Sequence, residues 1–250
     1  MSQAHEVLER ARSARLAGNY EDALRDHLWF HEHALASDPG LAGVRLSFAL
    51  RDWIYLAEQF PLARRALQAI RDRDTQRLLN GAATLALFHD VSAINSALGD
   101  ERATHDLFTQ IDTQLPELAK DCAELALPAL VAVEDFQLAR RYLPDPVARI
   151  AALATRVNDF AEEMAKRGNT SSAPQLLAFV LNYAKEVRLV VEVLRRLGED
   201  EEVVKASNAA LESLKSEALR DAVQREFEHP GSTIAAMVAH AKGEGKEDKQ

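Results

Sequence analysis

Residues 16–24 read LAGNYEDAL, and this stretch predicts the end of one helix, a tight turn and the start of a second helix. Gly18 can adopt the left-handed conformation that such a turn requires without steric cost. Glu21 and Asp22 fall in the first turn of the second helix, where the helix dipole favours negative charge. Ala23 is small at the point where the two helices must approach closely. The stretch therefore predicts a helical hairpin.

The same pattern returns along the chain. Six hairpins can be anchored on the small or apolar residue that begins each second helix, namely Ala23, Ala63, Ala103, Ala139, Ala173 and Val203. The spacings between these anchors are 40, 40, 36, 34 and 30 residues, a period typical of an α-solenoid. Since no run of alternating apolar and polar residues is evident, the sequence predicts an all-α fold, a right-handed superhelix of antiparallel helix pairs.

Three parts are predicted along the chain. They are the helical repeats at 1–170, a pair of longer helices that continue or cap the array at 171–228, and a short helix with a charged end at 229–250. Gly168 is expected to mark a further turn between helices. The last helix is expected to end near Ala241, and residues 243–250 are expected to be disordered because they cannot bury apolar area.

The composition argues against several classes of function. Apolar residues make up 47% of the 250 residues but aromatic residues only 6%, which suits close packing between helices. A net charge of −9 argues against broad binding of nucleic acid. No signal peptide or membrane-spanning segment is evident, so we expect a cytoplasmic protein that does not bind membranes. Every basic residue before Lys120 is arginine, which predicts specific ion pairs in the N-terminal half.

The pattern Gly-x-Tyr-x-x-Ala-Leu, followed by a helix that ends near Asp38 and Pro39, resembles the tetratricopeptide repeat. The resemblance covers roughly residues 4–170, and several stretches within it are similar to those of bacterial repeat proteins that carry no assigned function. It implies a helical scaffold with a binding role and no reaction. We therefore expect neither an enzyme nor a cofactor.

In the tetratricopeptide family the first helix of each pair lines a concave groove. Carried over to this chain, the resemblance implies a groove lined by Arg12, Arg15, Arg45, Phe48, Asp52, Tyr55, Phe88, Ser92, Asn95, Asp121 and Glu124. Family members that bind chaperone tails use lysine and asparagine to hold two carboxylates. Leu8, Arg12 and Ala49 stand at three of those positions here, which disfavours this ligand.

These groove residues predict a ligand with an acidic end, an apolar centre and a basic end. The leading expectation is a scaffold that binds a protein or peptide segment. The alternative is a regulator or sensor that binds a small anionic molecule in the same groove. A competing interpretation of Arg45 and Asp52 is that both simply form ion pairs with neighbouring repeats.

Histidines invite a metal or catalytic interpretation. His27 and His31 lie four residues apart on one helix, a spacing that can bring two imidazoles to one metal ion, although zinc needs more ligands than this pair offers. The other interpretation places both rings in the packed interface. His89-Asp90 and His105-Asp106 are adjacent pairs, and neighbouring residues on a helix point in different directions, so neither is expected to form a catalytic dyad.

Overall fold

The computed structural model describes residues 2–167 and 173–247, and its regular secondary structure is helical. These residues contain no strand, so the all-α prediction is confirmed. In chain order the helices are Gln3–Leu16 (α1), Tyr20–Ser37 (α2), Ala42–Arg45 (α3), Phe48–Ala57 (α4), Pro61–Leu79 (α5), Leu85–Leu98 (α6), Glu101–Gln114 (α7), Pro116–Ala132 (α8), Phe136–Arg141 (α9), Pro146–Arg167 (α10), Ala173–Arg196 (α11), Asp200–Glu212 (α12), Glu217–Glu228 (α13) and Ser232–Glu247 (α14). A single 3₁₀ turn, Pro39–Leu41, precedes α3.

The chain divides into two compact units, Met1–Val133 and Glu134–Gln250. Each unit has its own set of packed helices and is described separately below. The three-part division that was predicted from the sequence, with limits near 170 and 228, stays a prediction.

The first hairpin forms where the sequence predicts it. α1 ends at Leu16, α2 begins at Tyr20, and Gly18 between them has φ +80°. The backbone N–H of Asn19 donates to the carbonyl of Ala14 (2.9 Å), which closes the end of α1. A left-handed glycine also ends α6, where Gly99 has φ +73°.

The helices of the first unit pack in chain order. α1 packs along α2, α4 along α5, and α6 along α7. The first helices of these pairs also contact one another, because α1 contacts α4 and α4 contacts α6. Helix α6 in turn contacts α8. Trp53 of α4 belongs to an apolar cluster with buried residues from α2, α4, α5 and α6, and it is 1% exposed. Its indole N–H donates to the carbonyl of Ala63 on α5 (3.0 Å), as expected for a packed tryptophan.

The small anchor residues differ in burial. Ala23, Ala63 and Ala139 are fully buried. Ala103 and Val203 are half-buried. The side chain of the fifth anchor, at position 173, lies outside the described part of the chain.

Helix α8 continues through a proline. Pro128 neither donates a backbone hydrogen bond nor splits the helix, which runs unbroken from Pro116 to Ala132. Cys122 of the same helix is fully buried, and burial raises the pKa of its thiol to about 12. A cysteine buried in this way packs as a small apolar residue.

The second unit is organised around α11, which packs against α9, α10, α12, α13 and α14. Asn158 of α10 ties this unit together, since its amide donates to the carbonyl of Ser213 (2.9 Å) and accepts from the N–H of Lys215 (2.9 Å). Glu226 of α13 is 1% exposed and accepts hydrogen bonds at the start of α14. The turn after α12 is therefore held by long-range polar contacts, and the turn before α14 by local ones.

The last helix is longer than predicted, because α14 continues past Ala241 to Glu247. The remaining residues, 248–250, and the turn predicted at 168–172 lie outside the described residues. Among the helices of the described chain, none is long and apolar enough to cross a membrane.

Candidate functional site

One face of α4 presents two aromatic rings to solvent. Phe48 is 53% exposed and Tyr55 is 42% exposed, although both belong to a helix whose other face is in the core. Arg51 is also exposed and lies three residues after Phe48 and four before Tyr55, a spacing that puts all three on one side of the helix. Exposed large aromatic residues in such a row are typical of interaction surfaces.

Two guanidinium groups cover these rings. The guanidinium carbon of Arg51 lies 5.0 Å from the ring centroid of Phe48, and that of Arg15, from α1, lies 5.7 Å from the centroid of Tyr55. Both distances are in the range of cation–π contacts. We call Arg15, Phe48, Arg51 and Tyr55 the aromatic–arginine row.

Neither guanidinium of the row has a carboxylate partner among the described residues. The Nε of Arg15 is moreover buried without any hydrogen-bond acceptor. A buried, unpaired donor costs roughly 1–3 kcal/mol. The row therefore holds two cations whose charge is not neutralised by a neighbouring side chain.

Two clefts continue from the row across the next helices. A cleft of about 340 Å³ lies between α4 and α6, and one of about 210 Å³ lies between α6, the start of α7 and α8. Ala93 and Ser96 line both clefts, so the two adjoin the same part of α6, and we call them together the two-cleft track. The first is lined by Leu46, Ser47, Leu50, Arg51, Ile54, Ala93, Ser96 and Ala97. The second is lined by His89, Ser92, Ala93, Ser96, Glu101, Thr104, Leu125, Pro128 and Ala129.

The far end of the track carries the opposite charge. Asp121 and Glu124 are exposed on α8, four residues before Leu125 and Pro128, which line the second cleft. The surface thus changes from arginine at α1 and α4 to carboxylate at α8.

Two of the predicted groove residues instead form a pair between repeats. Arg12 of α1 donates through Nε and Nη2 to the Oδ2 of Asp52 on α4, at 3.0 and 2.6 Å. Asp52 is only 5% exposed, and its hydrogen bond raises the pKa of Arg12. For Asp52 the structure therefore places the side chain in the interface between neighbouring repeats.

Arg45 forms a similar ion pair, with an aspartate of the next hairpin. It is 7% exposed and donates to both oxygens of Asp90 on α6, at 2.7 and 2.8 Å. Its Nε also donates to the carbonyl of His31 (2.7 Å). Three of its hydrogen bonds are thus made inside the protein, and the ion-pair interpretation of this arginine is the one that the structure supports.

Two more predicted groove residues lie in the core, which corrects the assignment made from the family register. Phe88 is fully buried and packs against Phe108, with the ring centroids 6.2 Å apart. Asn95 is 1% exposed and donates to the hydroxyl of Thr104 (3.1 Å). A register that is displaced by one residue along α6 explains both, because His89 and Ser96, each one position further on, line the track. The predicted residue Ser92 lines it as well.

Arg51 was not among the predicted site residues. Its spacing from Phe48 and Tyr55 places it on the same helix face, so the i, i+3 and i+4 pattern could have identified it. Phe48 and Tyr55 were expected to face a groove with exposed side chains. Both side chains are exposed.

The two histidines of α2 lie in the packed interface. His27 is 1% exposed and stacks on Trp53, with the ring centroids 5.4 Å apart, while His31 meets the edge of the same indole at 6.1 Å. Neither ring nitrogen of His27 has a hydrogen-bond partner, contrary to the expectation that both rings bond to the neighbouring helix. Burial lowers the pKa of each ring to about 4. Within the described residues, no three His, Cys, Asp or Glu side chains group as metal ligands would.

The two adjacent histidine–aspartate pairs differ from each other. In the pair His89-Asp90, the aspartate accepts hydrogen bonds from Arg45, as described above. In the other pair Nδ1 of His105 lies 2.9 Å from Oδ1 of Asp106, although the two residues are adjacent on the helix. The short aspartate side chain can turn back to the ring over the helix surface, so the divergence of the Cα–Cβ bonds does not keep the two groups apart.

The arrangement of the first unit is therefore an exposed row of paired cations and rings, an apolar track beside it, and carboxylates at the far end. Such a surface offers stacking, apolar burial and charge of both signs to a ligand. No family model matches this chain, and no curated protein or solved structure matches it either.

Proposed function

We propose that the chain is a tetratricopeptide-like scaffold that binds a segment of a partner protein along the two-cleft track. The observation that carries this proposal is the aromatic–arginine row, with Phe48 and Tyr55 exposed on the helix whose Arg51 borders the first, mostly apolar cleft. Aromatic residues and arginine are the residue types that anchor most protein interfaces. A binding role in the cytoplasm, without chemistry, is part of the same proposal.

The order of helix contacts supports the solenoid part of the proposal. In stacked hairpins the first helices of successive pairs contact one another, and in the first unit α1, α4, α6 and α8 do so in this order. A surface made from equivalent helices of successive repeats suits an extended segment, because the segment can cross one repeat after another.

The second candidate is a sensor for a small anionic molecule, and one observation favours it. Arg15 and Arg51 have no carboxylate partner within the described ranges, and Arg51 lines a cleft of about 340 Å³, within the usual size of small-molecule sites. Under this alternative a small anion raises the melting temperature in proportion to its occupancy of the site.

Site-directed photo-crosslinking tests the leading proposal. A photoreactive amino acid is placed at Phe48 in one variant and at Arg64 in a matched control, because Arg64 is exposed on α5, away from the row. We expect a protein adduct in native cell extract from the first variant and none from the second. Equal adducts at both positions, or none at Phe48, would contradict a partner on the track, and stabilisation by small anions alone would favour the sensor.

A further inference from the structure

We propose that the second cleft, between α6, the start of α7 and α8, binds the side chain of a lysine, with its ammonium group at Glu101. The proposal rests on the function proposed above, because the lysine belongs to the partner segment on the two-cleft track. Three features of the cleft point to lysine: a carboxylate without a cation, further hydrogen-bond acceptors around the same space, and apolar walls.

The carboxylate of the cleft is that of Glu101. Among the described residues that line the cleft, Glu101 is the acidic one and none is lysine or arginine. Glu101 is half-buried in the first turn of α7, and within the described ranges its side chain forms no ion pair. The neighbouring Asp100 differs, since it accepts from Arg71 (3.0 Å) and from the N–H of Ala103 (3.2 Å). The charge of Glu101 is therefore left for a ligand to neutralise.

Other side chains around the same space can accept hydrogen bonds. Ser92 is 8% exposed, and because its hydroxyl already donates to the carbonyl of His89 (3.1 Å), its oxygen remains as an acceptor. The hydroxyl of Ser96 and the imidazole of His89 also line the cleft, and neither has a hydrogen-bond partner in the described part of the chain. A lysine ammonium is compact and carries three rotatable donors, whereas the donors of arginine lie in one plane. Acceptors that come from two helices around one small space therefore suit lysine.

The walls of the cleft are apolar and match the stem of the same side chain. They are formed by Ala93, Leu125, Pro128 and Ala129. The four-carbon stem of lysine buries its methylene groups on such a surface while the charged end stays near water, here beside the half-buried Glu101. The volume of about 210 Å³ is below the usual size of sites for whole small molecules, so the cleft suits a single side chain.

The combination of these features distinguishes Glu101 from other carboxylates of the first unit. Glu21 and Glu58 also form no ion pair among the described residues, but both are exposed and neither lines a cleft of the track. A carboxylate in the first turn of a helix is also favoured by the helix dipole, and this applies to Glu21 and Glu101 alike. A test of the proposal can therefore compare these two residues.

An NMR titration of the full-length chain tests the proposal. The probe is Nα-acetyl-lysine N-methylamide, which presents one lysine side chain between blocked backbone groups. We expect saturable shifts of the amide resonances of Ala93, Ser96 and Leu125, and we expect Glu101→Gln to weaken binding roughly tenfold through loss of a charge-assisted hydrogen bond. Glu21→Gln is the matched control, because it loses the same interaction with a helix dipole, and it should bind as wild type does.

Two further probes separate the charge from the stem and from the shape of the head group. The norleucine analogue keeps an apolar stem without the ammonium, and the arginine analogue carries a planar cation. Both are expected to bind at least roughly fivefold more weakly than the lysine probe.

Several outcomes would overturn the proposal. These are an absence of saturable shifts with the lysine probe, equal binding by Glu101→Gln, and equal binding of either analogue. An adduct at Phe48 without lysine binding would refute the lysine site and leave the proposed function intact. Lysine binding without that adduct would refute the proposed function, and with it the partner segment as the source of the lysine.

Discussion

At the scale of single residues, four arginines of the first unit fall into two pairs. Arg12 and Arg45 form ion pairs with Asp52 and Asp90 on later helices, while Arg15 and Arg51 lie on exposed rings. The abundance of arginine before Lys120 predicted specific ion pairs in this half, and the structure contains them. Which arginine belongs to which group depends on residues 40 or more positions away, since Arg45 meets an aspartate 45 positions further on.

Replacing Arg45 by leucine is expected to destabilise the protein. The substitution leaves Asp90 without its cation and removes a donor to the carbonyl of His31, and loss of one member of a buried pair costs roughly 3–5 kcal/mol. Urea denaturation measures the change in the free energy of unfolding. Arg64→Leu is the exposed control and should change it little. Equal stability of the two variants would show that the Arg45 pair contributes nothing.

Stability is expected to fall in acid because of His27. Its pKa is lowered from 6.5 to about 4 in the folded chain, chiefly by burial, so between these values the unfolded chain binds a proton that the folded chain does not. The free energy of unfolding is therefore full above about pH 6.5, declines as the pH falls and levels off below about pH 4. Asp26, Asp52, Arg12 and Arg15 are the charged groups near the ring, and the two carboxylates partly oppose the decline.

Thermal denaturation of wild type and His27→Phe at a series of pH values checks this. Phenylalanine keeps the stack on Trp53 but carries no proton, so we expect the decline to shrink by up to about 3 kcal/mol. Parallel pH curves for the two proteins would mean that another group is responsible.

At the scale of elements, the hairpins were predictable and the surface register was not. Gly18, Ala23 and the acidic first turn of α2 act through local sterics and the helix dipole, so residues 16–24 suffice to predict the turn. The face that α6 presents depends on how it packs between α4 and α8. A difference of one residue in register corresponds to a rotation of the helix by about 100°. For this reason Phe88 and Asn95 lie in the core and not in the expected groove.

Overpacking at a hairpin anchor should destabilise the first unit. Ala63 is fully buried under Trp53, so Ala63→Trp must displace its neighbours at a cost of roughly 1–3 kcal/mol or more. Ala86→Trp, at an exposed position on α6, is the control. Denaturant midpoints compare the two. If Ala63→Trp were as stable as its control, the anchor would not lie in a close-packed interface.

The start of α14 depends on one carboxylate. Glu226 accepts from the N–H groups of Gly231 and Thr233, both at 2.9 Å, and from the hydroxyl of Ser232. These hydrogen bonds lower the pKa of Glu226 to about 2 despite its burial. Because this pKa is lowered, the stabilisation is complete above about pH 4.5 and is lost only as the pH falls towards 2.

We therefore expect Glu226→Gln to loosen the start of α14. The amide keeps the shape but presents one oxygen where two are needed, at a cost of roughly 1–3 kcal/mol. Hydrogen exchange of the amides at 231–235 should accelerate, while Glu228→Gln, an exposed neighbour, should leave it unchanged. Unchanged exchange in Glu226→Gln would show that α14 is held in place by its apolar contacts.

At the scale of the whole molecule, the proposed site belongs to one compact unit. Every residue of the aromatic–arginine row and of the two-cleft track lies within Met1–Val133. The unit has a core of its own, with Trp53, Phe30 and Phe108 fully buried. The spacing of the anchor residues predicted repeats. The boundary between the two units, near residue 133, is not marked by a change in glycine or proline content.

A fragment of residues 1–133 is therefore expected to fold and to bind. Circular dichroism should show cooperative loss of helix on heating, and the fragment with the photoreactive amino acid at Phe48 should form the same protein adduct as the full chain. A non-cooperative transition in the first fragment would show that the second unit is needed for its stability.

The division between paired and unpaired arginines has a consequence for how this surface can change. The side chains that hold successive repeats together, such as Arg45, are inaccessible, and those that we assign to recognition, Arg15 and Arg51, bond to no described carboxylate. Substitutions in the second group should alter ligand preference with little loss of fold. The chain could thus acquire new ligands, by natural variation or by directed evolution, through a handful of exposed positions while its architecture stays intact.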